Sequence, residues 1–238
     1  MNPMPMLCLP YAGGSAQFYK RWTNPLQPFL TPVPIEMSGR GSRIEGPLID
    51  DVHKAVDDLL PAIIPYTKQR YALFGHSMGC LVAFELMHRL RQEGLPLPEV
   101  AFMSGRGAPH LLDDKRDMHL LPDEQFVAKV KEMGGTPDEF FQHPELLQLF
   151  LPILRADFKL VADYRYAPRA PLPIDLFILN GESDTGLIGE ARDWQRHTTG
   201  VCETAQFYGG HFYLHEPVGE LTGYMTRVAR RVPAGAAD

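Results

Sequence analysis

Cysteine is scarce in this 238-residue chain: Cys8, Cys80 and Cys202 are odd in number and widely spaced. That speaks against a disulfide framework and suits a reducing compartment, so a cytoplasmic protein is expected. No C-x-x-C and no H-E-x-x-H occurs, and the histidines fall into no ligand spacing, so no metal is expected. Basic runs are missing as well. With no stretch of five or more Lys or Arg and a formal net charge of −6, the chain is a poor match for nucleic acid or an anionic membrane. Ser38-Gly39-Arg40-Gly41-Ser42-Arg43 fails G-x-G-x-x-G because position 44 is Ile, and it lacks a phosphate-loop lysine; it reads as a solvated turn. No apolar run approaches a membrane span, and the first basic residue is Lys20, too late for a charged leader.

What is present is ordinary globular material, 45% hydrophobic and 22% charged, in a length that buries one substantial core; one domain over 1–238 is expected. Short apolar runs mark strands at Met6–Leu9, Val33–Met37, Tyr71–Phe74, Val100–Met103, Ile174–Leu179 and Thr204–Tyr208. Pro34 makes the second an edge strand. Between them lie amphipathic stretches, Phe18 to Leu26, Val52 to Ile63 and Leu81 to Arg91, and a closing helix follows from about Pro217 to Arg231. The alternation predicts an α/β fold with a mostly parallel sheet covered on both faces. Between Met103 and Ile174 it fails. Leu120–Met133, a start at Pro137–Phe141 and a long stretch Pro144–Tyr164 are helical in period, with more apolar surface than one sheet-facing stripe requires. This segment, about 108–170, reads as a helical insertion forming a lid over the carboxyl ends of the strands, with Phe140, Phe141 and Leu147 toward an acyl channel.

The chain is organised around Phe74-Gly75-His76-Ser77-Met78-Gly79-Cys80. The G-x-S-x-G string follows a predicted strand and opens a predicted helix, the context of a nucleophile elbow. A Cβ at Gly75 or Gly79 would collide with the neighbouring strand or helix. In the helix that follows, Val82, Leu86 and Leu90 face inward, while Glu85, His88, Arg89 and Gln92 face away.

A serine hydroxyl needs a base to remove its proton and an acid to hold that base, in the chain order Ser, acid, His. Asp184 follows the turn after the strand ending at Leu179; Glu182, nearer the strand end, is its rival. Asp157, Asp163 and Asp193 sit in helical patterns and read as solvated. His211 follows Gly209-Gly210 after the last strand and is the expected base; His215 reads as supporting, and His76 points the wrong way. The backbone N–H groups of Met78 and of Ala12, in the loop Tyr11–Ala16, are the expected oxyanion donors.

Taken together these residues resemble the type II thioesterases, stand-alone editing enzymes of non-ribosomal peptide and polyketide synthases. The likeness covers nearly all of the chain: Pro10-Tyr11-Ala12-Gly13-Gly14-Ser15-Ala16, Gly39-Arg40-Gly41 with Arg43, the elbow, Ala108-Pro109-His110 after Arg106, Leu154-Arg155-Ala156-Asp157-Phe158, Gly181–Asp184 and Gly209-Gly210-His211-Phe212. Two departures stand out: Cys80 replaces a small residue, and only five residues precede Met6, where the family has a further strand. The resemblance implies an α/β-hydrolase fold and hydrolysis of acyl groups from the phosphopantetheine thiol of an acyl or peptidyl carrier protein, by a monomer needing no cofactor of its own. Arg40, Arg43 and Arg106 become candidates for docking at the entrance. A carboxylesterase or lipase, an acyltransferase and an inactive binding module of the same fold are the rival expectations.

Overall fold

The computed structural model describes residues 2–111, 117–135, 143–217 and 219–232. Its strands are β1 (Met4–Leu9), β2 (Leu30–Pro34), β3 (Ala72–His76), β4 (Val100–Ser104), β5 (Asp175–Gly181) and β6 (Cys202–Phe207). They form one sheet in the order β2-β1-β3-β4-β5-β6, each neighbouring pair parallel. The helices are α1 (Thr23–Leu26), α2 (Val52–Ile63), α3 (Met78–Gln92), α4 (Asp123–Met133), α5 (Pro144–Asp163) and α6 (Gly219–Arg231). The expected helix start at Pro137–Phe141 lies outside the described residues.

Because the strands are covered on both sides, their side chains alternate into two cores. On β1, Leu7 and Leu9 join Leu73, Met103 and Ile178 under α2 and α3. Met6 and Cys8 join Phe74, Phe102 and Phe177 on the opposite face, where Tyr19, Trp22, Leu26 and the α6 residues Leu221, Met225 and Val228 close the layer. A third, smaller cluster of Met118, Phe126, Val130 and Leu154 belongs to the helical segment itself.

β2 differs from expectation by running Leu30–Pro34 rather than Val33–Met37. Ile35 N–H donates to Cys8 C=O at 3.1 Å. N–H directions alternate along a strand, so the nitrogens of Pro32 and Pro34 face the open edge, where a missing donor costs nothing. The outward face expected for α3 is also absent near its middle: Glu85 and His88 are buried. The segment returning from α5 covers them, with Tyr164 Oη donating to Glu85 at 2.7 Å and Arg169 pairing with the same carboxylate.

Candidate active site

β3 ends at His76 and α3 begins at Met78, leaving Ser77 alone in the turn between them. Its backbone has φ 53° and ψ −112°, a conformation that a side-chain-bearing residue rarely adopts. Ser77 N–H donates to Ser104 C=O at 2.8 Å and Ser77 C=O accepts Cys80 N–H at 3.0 Å, so neighbouring strand and new helix hold the turn from both sides. The tightness explains the glycines: a Cβ on Gly75 would lie 2.3 Å from Gly79 O, and one on Gly79 would lie 2.6 Å from Leu9 O.

Two further loops meet this turn. β5 runs two residues past the expected end, and Asp184 N–H then returns to Gly181 C=O at 3.2 Å. Ser183 N–H donates to Gly209 C=O at 2.9 Å, and a Cβ on Gly181 would touch Gly210 O at 2.1 Å. The loops after β5 and β6 thus run backbone against backbone. Asp184 Oδ1 accepts Gly186 N–H at 2.9 Å, and Oδ2 accepts His211 Nδ1–H at 2.8 Å, which leaves Nε2 as the proton-accepting nitrogen of His211. Glu182, the rival acid, is exposed.

Ser77, Asp184 and His211 line one cavity of about 600 Å³ at the carboxyl ends of the strands, together with Ala12 and Met78. Met118, Val130, Leu154 and Phe158, from the helical segment, line its other side. Gly135, just past α4, leans on the Phe212 ring next to His211, so closely that a Cβ would lie 2.2 Å from Phe212 Cζ.

Behind the elbow lies a polar chain whose one local trace is Ser104-Gly105 at a strand end. His76 Nδ1 bonds Ser104 Oγ at 2.8 Å, and Ser104 Oγ bonds Tyr213 Oη at 2.6 Å. Burial, with His211 and His215 adding to it, holds the His76 imidazole well below its usual pKa. Burial likewise lowers His215, which bonds Tyr11 Oη at 3.1 Å, and raises that tyrosine to about 12.

The remaining expected residues separate. Arg106 lines the cavity. Leu147 is half-buried on α5 and is not among the lining residues. Phe140 and Phe141 lie outside the described residues. Arg43 stands off the cavity, bonded twice to Asp58 at 2.7 Å. The turn expected to be solvated is so only in its second half: Gly41 and Ser42 are exposed, but Ser38 and Arg40 are 2% and 3% exposed. Asp157, expected on a solvated face, is 0% exposed and bonds Arg40 at 2.5 and 2.6 Å. Helical spacing held the missed signal, since Leu154, Asp157 and Val161 share one inward stripe.

A parallel sheet carrying a serine on a strained elbow, with a paired acid and histidine on the following loops, defines an α/β-hydrolase. The Thioesterase domain family matches residues 4–232, and the chain belongs to it, with type II thioesterases among its relatives. It is 37% identical over 218 residues to the thioesterase PikA5 of Streptomyces venezuelae, covering 91% of this chain and 77% of that one. The crystal structure of ClbQ, from the colibactin NRPS/PKS pathway, superposes with a TM-score of 0.92 at 33% identity, covering 97% and 98% of the two chains. The type II thioesterase BorB, from the borrelidin cluster, gives 0.84 at 35% identity over 96% and 93%. Among the described residues no helix is long and apolar enough to cross a membrane, and no group of three or more His, Cys, Asp or Glu could hold a metal ion.

Proposed function

We propose that this chain hydrolyses acyl thioesters carried on the phosphopantetheine arm of an acyl or peptidyl carrier protein, using Ser77 as nucleophile, His211 as base and Asp184 as the acid that orients it. The observation that carries the reading is the 2.8 Å bond from His211 Nδ1 to Asp184 beside the cavity in which Ser77 sits.

His211 Nε2 takes the Ser77 proton as Oγ attacks the thioester carbon. The oxyanion is met by the N–H groups of Met78, at the start of α3, and Ala12; one such donor is worth about 3 kcal/mol. Collapse breaks the C–S bond. A thiol of pKa about 8.5 leaves readily as thiolate, so the imidazolium has little to donate, and it later returns its proton to the departing sulfur. Water, deprotonated by His211, then attacks the acyl-serine and releases the carboxylic acid while Ser77 regains its proton. The mechanism uses no cofactor of the chain's own.

The helical segment, about 108–170, is proposed to act as a lid on a single domain, its apolar residues Met118, Val130, Leu154 and Phe158 receiving the acyl chain. Arg106, which lines the cavity, is the proposed docking arginine; Arg40 is buried against Asp157, and Arg43 bonds Asp58 off the cavity. The cytoplasm is the proposed compartment, in keeping with the free thiols Cys8, Cys80 and Cys202, and a monomer the proposed state.

The test is twofold. A fluorophosphonate should label the wild type and not Ser77→Ala, and the thioester of an acylated carrier protein should be hydrolysed faster than an oxygen ester of matched chain length. Labelling that persists in Ser77→Ala defeats the nucleophile assignment. Faster turnover of the oxygen ester makes the chain a carboxylesterase, and transfer to an added amine outcompeting water makes it an acyltransferase.

A further inference from the structure

The loop that supplies the second oxyanion donor is anchored from the roof of the cavity. Gly14 N–H donates to Tyr11 C=O at 2.9 Å, closing a turn in which Gly13 has φ +73°. A turn with a glycine at positive φ in its third position differs from its commoner relative by a flip of the central peptide, here the one joining Ala12 to Gly13. Something must choose between the two. Gly13 N–H donates to Asp157 Oδ2 at 2.7 Å, and a flipped peptide would turn the Ala12 carbonyl toward that carboxylate instead.

Asp157 is itself held. Its side chain is 0% and that of Arg40 4% exposed, and the guanidinium meets both carboxylate oxygens. Arg40 Nη1 also reaches Gly14 C=O at 3.4 Å, so the pair grips the turn at both glycines. One turn earlier on α5, Leu154 packs on Gly13, where a Cβ would lie 2.6 Å from Leu154 Cδ2. The far end of the loop has a separate tether: buried Glu36 accepts Ala16 N–H at 3.1 Å and the Ser15 hydroxyl. Among the described residues no hydrogen bond engages Ala12 N–H, whose residue lines the cavity with Ser77.

Burying an ion pair is a poor way to gain stability, since apolar residues of the same volume serve as well or better. What the pair offers is a directional acceptor at a fixed point. We propose that Asp157 is a positioning residue of the oxyanion hole: steered by Arg40, it holds the Tyr11–Gly14 turn in place through Gly13 N–H, and with it Ala12, whose own N–H is offered to the oxyanion. Asp157 rides on α5, so the hole is complete only when this roof helix is seated. The proposal rests on the serine thioesterase reading above and adds to it a physical link between acyl chamber and chemistry.

Asp157→Asn keeps the shape and removes the anion. The full-length variant should hydrolyse an acyl thioester with kcat lower by about ten- to a hundredfold and KM within about twofold, up to the worth of one oxyanion donor. Its affinity for a trifluoromethyl ketone analogue, which forms a tetrahedral adduct on Ser77, should fall by the same factor. A purely structural ion pair would lower the melting temperature and leave both ratios near one, and that result in a folded variant overturns the proposal. If Asp157→Asn does not fold, Arg40→Lys carries the same test with the same two outcomes. In the wild type the Gly13 amide should exchange with solvent as slowly as amides of β1; exchange at the rate of an open loop also overturns it. A wild type that forms no ketone adduct sinks the serine reading instead, a separate result.

Discussion

The sheet and the helical segment above it are built to different standards. The sheet is sandwiched between two continuous cores, and its elbow is packed backbone on backbone at Gly75, Gly79 and Gly181. Among the described residues, the segment carrying α4 and α5 has a cluster of its own of only four buried apolar residues, and it exposes Leu120, Leu146 and Leu149. The first is a frame that fixes reacting atoms, where small displacements are costly. The second leans on the frame at Phe212, Gly13 and Arg40, and its Leu160 and Tyr164 join the core under α3. In the proposed mechanism the chemistry sits on the frame and substrate selection on the segment above it, with the contact between Asp157 and Gly13 joining them.

The sharpest way to break this division is at the two histidines of one loop. His211→Ala should lower kcat for thioester hydrolysis by more than about 10³-fold, whereas His215→Ala, which loses a bond to Tyr11 Oη and ring contacts with Phe18 and Phe212, should stay within about threefold. Steady-state rates decide it, and the reverse order would move the base. Next in size is the frame's intolerance of volume. Gly75→Ala places a Cβ 2.3 Å from a backbone oxygen, and should cost more than about 3 kcal/mol in denaturant unfolding. Phe126→Ala then sharpens the contrast. Phe126 is fully buried, meeting the Phe158 ring at 5.4 Å, and its truncation removes about 3 kcal/mol of local packing. That loss should appear as altered acyl-length preference while the main melting transition moves less than it does for Phe102→Ala. Equal shifts would mean that roof and frame unfold as one unit.

The smallest effect is on stability against pH. Burial lowers His88 and His197 to about 4, with neighbouring arginines and, for His197, its 2.7 Å partner His110 adding to the shift. Both are neutral in the folded protein and protonate in the unfolded chain near 6.5. The unfolded state therefore binds more protons between pH 6.5 and 4, and stability present above 6.5 falls as the pH drops through that window. His197→Gln should flatten the slope of melting temperature against pH there; an unchanged slope would show that other groups set it.

Much of the frame was legible because its signals are local. The elbow, its flanking strand and helix, and the order serine, acid, base each occupy a short stretch, and the apolar runs mark the strands. β2 was misplaced because prolines that would break an inner strand are harmless on an edge, and only pairing with β1 shows which edge they face. Glu85 and His88 read as outward because helical periodicity knows nothing of the segment that returns from α5 to cover them. The Arg40–Asp157 pair joins partners 117 residues apart, and each alone looks like a surface charge. Burial and pairing over that separation are properties of the fold, not of any window of sequence.

An all-parallel sheet has a consequence for how the molecule is made. β3 and β4 lie side by side early in the chain, but β5 and β6 join only after the helical segment has been synthesised. During translation the serine therefore emerges long before its histidine and aspartate. A nascent or truncated chain ending ahead of β5 carries Ser77 without Asp184 or His211, so under the proposed mechanism hydrolytic power arrives only with the last crossover.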